Sequence, residues 1–287
     1  MSPHTLVVDY HEELIKSFNG AAFVVRTGNF ALASEIYKTV HDANSLFAIK
    51  VSSDARLAEL PLSEEHRDIP MALYLAEAGR YADVDSVVER LRGFNSRIFF
   101  PADKSCNLIS CRILSSMGIA TGLYFTGAEP DWNALADLAA YTMYGKSPHA
   151  PIEPFYYLLT HYNQAESNSW QAVFFNNPQY YLHLSKDGQI ALRMEDIESG
   201  NFIAHDIADI PSITENPAFQ DALESWREFF LKAEGCAYCD VWRVCLGEFE
   251  GVCSNKEDGC KKFFREMLAA AEEHLKVLRN RRALWQP

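Results

Sequence analysis

The chain has 287 residues, 48% of them hydrophobic and 13% aromatic, and 39 acidic side chains against 26 basic ones leave a formal net charge of −13. That is enough apolar material for one large core or two modest ones, and a charged fraction of 23% excludes wholesale disorder. The acidic balance excludes a general nucleic-acid binder, because the one dense basic run, Arg279-Asn280-Arg281-Arg282, is too short to reverse it. No apolar run approaches the ~18 residues that cross a bilayer, and Met1-Ser2-Pro3-His4-Thr5 has neither a basic start nor a long apolar core. A cytoplasmic protein with neither a nucleic-acid nor a membrane partner is expected.

From about residue 20 to 125 short apolar runs alternate with amphipathic stretches. Ala22–Val25, Leu46–Val51, Met71–Leu75, Arg97–Phe100 and Ile119–Phe125 have strand length and β-branched, aromatic or continuous apolar character. Helical patterns lie between them, among them Ala31–Val40 and Val84–Leu91. Such spacing suits parallel βα units, whose crossovers need a dozen or more residues, so an α/β partial barrel or sheet is expected over residues 1–150. Asp131 is placed to cap a helix that carries Trp132, Leu135, Leu138 and Ala139 on one face.

Two prolines in Lys146-Ser147-Pro148-His149-Ala150-Pro151 mark a boundary to a second unit, residues 151–287. There Gln171–Phe175, Gln179–Leu184 and Gln189–Met194 read as strands, the last two joined by Lys186-Asp187-Gly188, whose Asp-Gly step signals a hairpin. Asn216-Pro217 opens a helix with Phe219, Leu223, Trp226 and Phe230 on one face. A last helix from about Lys261 presents Phe264, Leu268, Ala271, Leu275 and Leu278 at the same period.

Of seven cysteines, Cys106 and Cys111 stand apart, whereas Cys236, Cys239, Cys245, Cys253 and Cys260 fall within one short late segment. A secreted disulfide scaffold spreads an even number of cysteines through a short chain, so a tight late group in a long chain points to a metal. Two thiols separated by two residues can face one ion across a turn. A third six residues on and a fourth beyond complete the tetrahedral set taken by zinc or by a cubane cluster, and spacing alone does not separate the two. Cys260 opens the last helix, where the positive end of the dipole favours thiolate. Arg243, Lys261, Lys262 and Arg265 lie near enough in sequence to offset the charge, and glycines at 235, 247 and 259 relieve crowding round a bulky site.

The run from Asn216 to Gly247, an amphipathic helix leading into C-x2-C-x5-C-x-G, resembles the SPASM or shortened twitch extension of radical S-adenosylmethionine (SAM) peptide-modifying enzymes. The Asp187-Gly188 hairpin looks like the entry to that extension, and Cys260-Lys261-Lys262-Phe263-Phe264 like its last ligand with the aromatic helix behind it. The resemblance covers roughly residues 150–275 and implies an auxiliary [4Fe–4S] cluster beside a TIM-like partial barrel. Members with two clusters carry a further cysteine at the position of Phe249 and ligands in and after the hairpin, where this chain has Ile190-Ala191-Leu192-Arg193. One cluster is therefore implied, held by Cys236, Cys239, Cys245 and Cys260, with Cys253 the alternative to Cys260. The catalytic C-x3-C-x2-C triplet occurs nowhere in the chain, and after the first expected strand it reads Arg26-Thr27-Gly28-Asn29-Phe30. A radical SAM reaction by this chain alone is excluded. Gly127-Ala128-Glu129-Pro130 is similar to the family's cofactor-amine motif but lies late in the expected barrel, where a turn and helix entry is the simpler account.

Cys106 and Cys111 are separated by four residues and have no histidine at hand, which favours structural roles over a redox pair. His149, His161, His183 and His205 show no zinc-hydrolase spacing, and His205-Asp206 reads as a turn pair. No G-x-S-x-G, P-loop or G-x-G-x-x-G motif is present. Phe155, Tyr156, Tyr157, Tyr180 and Tyr181 are aromatic enough to line a peptide groove, although core packing explains them more simply. The expectation is an accessory protein of radical-SAM-like build, bound to a peptide substrate or to a radical SAM enzyme during peptide modification. The alternatives are a stand-alone iron–sulfur electron-transfer or redox protein and a zinc-stapled interaction module.

Overall fold

The computed structural model describes residues 4–79, 81–163, 169–228, 236, 239–247, 249 and 259–284. Among these residues it is a mixed α/β fold around one nine-stranded sheet. The strands are β1 (Thr5–Asp9), β2 (Ala22–Thr27), β3 (Ser45–Ser53), β4 (Met71–Leu75), β5 (Ser96–Pro101), β6 (Thr121–Tyr124), β7 (Ile152–Glu153), β8 (Tyr181–Leu184) and β9 (Ile190–Ala191). Their order is β7-β6-β5-β4-β3-β2-β1-β8-β9, and every neighbouring pair is parallel except β8 with β9. The helices are α1 (Glu12–Lys16), α2 (Ala33–His41), α3 (Tyr81–Leu91), α4 (Ser105–Ser116), α5 (Trp132–Tyr144), α6 (Phe155–His161), α7 (Met194–Glu198), α8 (Pro217–Glu228), α9 (Trp242–Cys245) and α10 (Gly259–Leu284). No helix among the described residues is long and apolar enough to cross a membrane.

From β1 to β7 each strand lies beside its predecessor, so the chain advances across the sheet in one direction. Right-handed crossovers then carry the connections over a single face. The side chains of that face, Leu6 and Val8, Phe23 and Val25, Ile49 and Val51, share one core with Ile36 and Val40 of α2, Val84 and Val87 of α3, and Leu108 and Leu114 of α4. This is why the strands read as continuous apolar runs: both faces are covered. The opposite face presents Val7, Val24, Ala48, Ala72, Tyr74, Phe99 and Tyr181, packed against Val173 and Phe175. Gly122 of β6 stands opposite Phe99 of β5, and a Cβ there would lie 2.5 Å from the Phe99 ring. Its missing side chain lets Phe99 stack on Tyr74, with centroids 4.6 Å apart and planes at 11°.

Five expected strands appear as β2 to β6, and the first differs in rank because β1 precedes it. After the true first strand the chain reads Tyr10-His11-Glu12, again without cysteine. Beyond Pro151 the same sheet continues through β7 on one edge and through β8 beside β1 on the other.

Gln171–Phe175 is not a strand. The 3-10 helix Trp170–Phe174 replaces it, because Ser169 caps the turn by accepting from Gln171 N, and Phe175 closes it in the left-handed region at φ 61°. The hairpin forms as read, with Gly188 at φ 80° and Ser185 N donating to Gln189 O at 2.9 Å. Its second strand stops at Ala191, and Met194 opens α7 instead.

Asp131 caps α5 by accepting from Asn133 N and Ala134 N, each at 3.1 Å. Asn216 accepts from Ala218 N at 2.8 Å at the start of α8, which buries Phe219, Leu223 and Trp226; Phe230 lies outside the described residues. Along α10 burial ends with Ala271: Leu275 is half-buried and Leu278 exposed, since the helix outruns α5 and α6, on which it packs.

Candidate functional site

Parallel sheets place ligand sites at the carboxyl ends of their strands, where loops converge and backbone groups lack ladder partners. Here a cavity of about 820 Å³ opens at that end, on the face opposite α2, α3 and α4. The strands deliver side chains to it at every second position: Val7 from β1, Arg26 from β2, Lys50 and Ser52 from β3, Tyr74 from β4, Tyr124 from β6 and His183 from β8. Loops add Asp54, Phe125, Gln171, Phe174, Asn176, Arg193 and Glu195, and the later part of the chain adds Trp226, Cys245 and Leu246.

The electrostatics are set by cations that the strands hold away from water. Arg26 and Lys50 are direct register partners on β2 and β3. Arg26 ion-pairs through Nη2 with Asp9 at 3.0 Å, but its side chain is only 13% exposed while that of Asp9 is 70% exposed. Its Nη1 meets Met194 Sδ, whereas neither Nε nor Nη2 makes a hydrogen bond of ordinary geometry. Burial pulls the Arg26 proton affinity down, with Asp9 and Glu198 opposing. Lys50 Nζ lies over the Tyr74 ring, 4.4 Å from its centroid. Burial, then the charge of Arg26, pushes its pKa down to about 8 against the pull of Glu195.

His183 is 3% exposed, and neither ring nitrogen has a hydrogen bond of ordinary geometry. Burial, followed by Arg26 and Lys50, pushes its pKa down to about 3, with only the Phe175 backbone favouring the proton. The imidazole is therefore neutral at pH 7 and works as a polar, uncharged wall. The Tyr74 hydroxyl and Asn176 Oδ1 are likewise buried without partners. Buried polar groups are nearly always hydrogen-bonded, so this concentration at one cavity marks it as built for polar contacts from outside the chain. Tyr124 OH, by contrast, donates to Leu75 O at 3.3 Å, and Arg193 pairs with Asp196 at 3.4 Å.

A second cavity, about 700 Å³, opens at the amino ends of the strands on the same face. It contains the ion pair of the half-exposed Arg97 with the buried Glu153, with Nη1 to Oε1 at 3.0 Å, and is walled by Tyr157, Tyr180 and Tyr181 among others. Burial raises the Glu153 pKa against the opposing pull of Arg97. The turn 171–176 stands between the two cavities: Gln171, Phe174 and Asn176 line the first, and Ala172, Val173 and Phe175 line the second. Of the aromatic group noted in the sequence, Phe155 is fully buried and Tyr156 and Tyr180 are exposed.

The cysteine segment borders the carboxyl-end cavity through Cys245. Cys239 N donates to Cys236 O at 2.9 Å, closing the C-x2-C turn. Cys245 ends α9 and is buried, while Cys236, Cys239 and Cys260 are half-buried. Cys239, Cys245 and Cys260 join one apolar cluster, and Cys260 stands in the first turn of α10. Asp240 fastens the turn to α10 by accepting from Arg265 Nε at 2.8 Å. Gly259 passes so close to Trp132 that a Cβ would lie 2.7 Å from the indole.

Among the described residues no three His, Cys, Asp or Glu side chains converge as around a metal ion, and Cys253 lies outside them. Cys236, Cys239, Cys245 and Cys260 are all described, and the structure does not bring three of them together as a closed site, although thiols are the donors a thiophilic metal takes. Phe249, at the position where two-cluster proteins carry a ligand, is a core aromatic: its ring lies 4.9 Å from Phe125, 5.1 Å from Trp132 and 5.8 Å from Trp170, centroid to centroid.

The other sequence candidates have structural partners. Cys106 and Cys111 are not bonded to each other; Cys106 is exposed, and Cys111 is buried with its thiol pushed up to about 12 by that burial. Gly127 turns at φ 84°, and Glu129 accepts from Trp132 Nε1 at 3.1 Å. Asp206 caps the turn at Ala208 N, and His205 Nδ1 meets Gln189 Nε2 at 3.1 Å. No family model, no curated protein and no solved structure matches the chain.

Proposed function

We propose that the chain is an accessory protein of radical-SAM-like build, in which a partial barrel receives a peptide substrate at its carboxyl end beside an auxiliary metal centre. The observation that carries the reading is that the carboxyl-end cavity is walled jointly by the parallel strands and by Cys245, Leu246 and Trp226 of the later segment. A site made by both parts of the chain is where a ligand and the cysteine segment meet. Parallel strands in chain order from β1 to β7 support the partial barrel, and the C-x2-C turn held to α10 by Asp240 and Arg265 supports the SPASM-like or twitch-like segment. In this reading Cys236, Cys239, Cys245 and Cys260 hold a [4Fe–4S] cluster, which when bound supplies an electron relay or a clamp. The chain's own residues bind and orient the peptide, and a partner radical SAM enzyme performs the chemistry.

Anaerobic purification followed by iron, sulfide and zinc determination tests the metal. About four irons and four sulfides per chain with broad absorption near ~400 nm are expected, and Cys239→Ser removes them. One zinc and no iron makes the segment a zinc staple, and a metal-free protein overturns the metal part. Titration with a set of short peptides, read by the fluorescence of Trp226 with Trp226→Phe as control, tests the cavity. A set that binds elsewhere, with a response unchanged in the variant, overturns that part.

A further inference from the structure

Resting on the reading of the carboxyl-end cavity as a ligand site, we infer that its ligand carries a single carboxylate on an aromatic or apolar body, and that Arg26 and Lys50 hold the carboxylate between them. The first ground is register. Like charges directly opposite on neighbouring strands repel, yet Arg26 faces Lys50 across β2 and β3. The exposed Asp9 is the ion-pair partner of Arg26, and among the described residues Lys50 has none. An anion between the two turns a destabilising juxtaposition into a binding site.

The second ground is geometric. Nε and Nη2 form the side edge of a guanidinium, whose parallel N–H bonds match the two oxygens of a carboxylate. Of the two, Nε is buried without a hydrogen bond, and Nη2 is held only by the ion pair to the exposed Asp9 at 3.0 Å. Tyr74, Asn176 and His183 line the same cavity, and the Tyr74 hydroxyl, Asn176 Oδ1 and His183 ring nitrogens, buried without a hydrogen bond of ordinary geometry, offer both donors and acceptors for polar atoms of the ligand.

Charge limits the ligand to one negative group. Glu195 and Asp54 share the cavity wall with the two cations, Arg193 is engaged by Asp196, and Glu198 acts on Arg26 from outside the wall. His183 stays neutral and cannot add a third cation. A dianionic phosphate would therefore meet acidic wall residues with no further positive charge to balance them. The remaining walls, Tyr124, Phe125, Phe174 and Trp226, are aromatic, and the volume of about 820 Å³ accepts a drug-sized body. Such a carboxylate belongs either to a small organic acid or to the C-terminus of a peptide.

The test uses the full chain with N-acetylphenylalanine, its amide, phenyl phosphate, and Gly-Gly-Phe with a free or amidated C-terminus, each followed by calorimetry. The free acids are expected to bind roughly tenfold or more tightly than their amides and than phenyl phosphate, and Arg26→Gln and Lys50→Met each to cost a similar factor. Tighter binding of the tripeptide acid assigns the carboxylate to a peptide terminus; tighter binding of the acetylated amino acid assigns it to a small acid. Circular dichroism confirms that each variant is folded, and either variant alone suffices.

Equal binding of acids and amides, with a response lost in Trp226→Phe, overturns the carboxylate and leaves the cavity as a ligand site. Tighter binding of phenyl phosphate overturns the limit of one charge. Failure of every probe at millimolar concentration overturns both the carboxylate and the cavity.

Discussion

Replacing Lys50 by Met should make the protein more stable at neutral pH. The ammonium sits in a cavity wall beside Arg26, and its pKa falls from an ordinary 10.5 to about 8. At about 1.4 kcal/mol for each tenfold change in proton affinity, that fall is a cost of about 3 kcal/mol for keeping the charge in the folded chain at pH 7. Water reaching the open side of the cavity reduces the cost, and the variant loses the attraction to the Tyr74 ring, worth ~0.5–1 kcal/mol. Met keeps the length and apolar stem of the side chain, so little packing is lost. A net gain of about 1–2 kcal/mol remains by this arithmetic.

Its pH dependence has a definite sign. Between about 8 and 10.5 the folded chain has released this proton while the unfolded chain still holds it. The native protein therefore recovers stability as pH rises through that window. The advantage of the variant is complete below pH 8 and disappears toward pH 10.5. Urea denaturation of both proteins at pH 7 and pH 10 measures it, and subtracting one protein from the other cancels tyrosine ionisation common to both. A difference that is absent at pH 7, or that is the same at both pH values, refutes the account of Lys50 as an unpaired, desolvated cation.

Other outcomes are fixed by single contacts. Gly122→Ala puts a methyl 2.5 Å from the Phe99 ring and should cost ~1–3 kcal/mol by overpacking, read as a lowered urea midpoint. Trp170→Ala empties a fully buried site where the indole stacks 4.9 Å from Phe125 and meets Phe264 at 4.8 Å; a loss of ~3–5 kcal/mol is expected. His183 accepts its proton only near pH 3 when folded but near 6.5 when unfolded, so acid weakens the protein across that interval by up to ~1.4 kcal/mol per pH unit. His183→Gln should flatten that part of the stability profile. Asp131→Ala removes the acceptor of two amide protons at the start of α5, and thermal unfolding should show a loss of about 1 kcal/mol.

The strands β2 to β6 are legible because burial on both faces leaves unbroken apolar runs. β1 escapes notice as a short run near the chain start, and β7, two residues long, carries no pattern at all. The segment 171–175 has strand composition, yet Ser169 as cap and the left-handed Phe175 turn it into a 3-10 helix; a local hydrogen bond outweighs residue preference. The cysteines stand out by spacing. Arg26, Lys50 and His183 do not, because their convergence depends on pairing β2 with β3 and β1 with β8. One signal was open to reading: each is a charged or polar residue inside an otherwise apolar strand, as in Phe23-Val24-Val25-Arg26, Ala48-Ile49-Lys50-Val51 and Tyr181-Leu182-His183-Leu184. A strand that is apolar on its helix side tolerates such a residue only where its other side meets a space.

The turn 171–176 is a shared partition, with three of its residues lining each of the two opposite rooms. A ligand that shifted this turn at one end would therefore change the space at the other. Thermodynamic reciprocity would make any such coupling symmetric in affinity: the factor by which a ligand near Arg26 changed binding near Glu153 would equal the factor in the other direction.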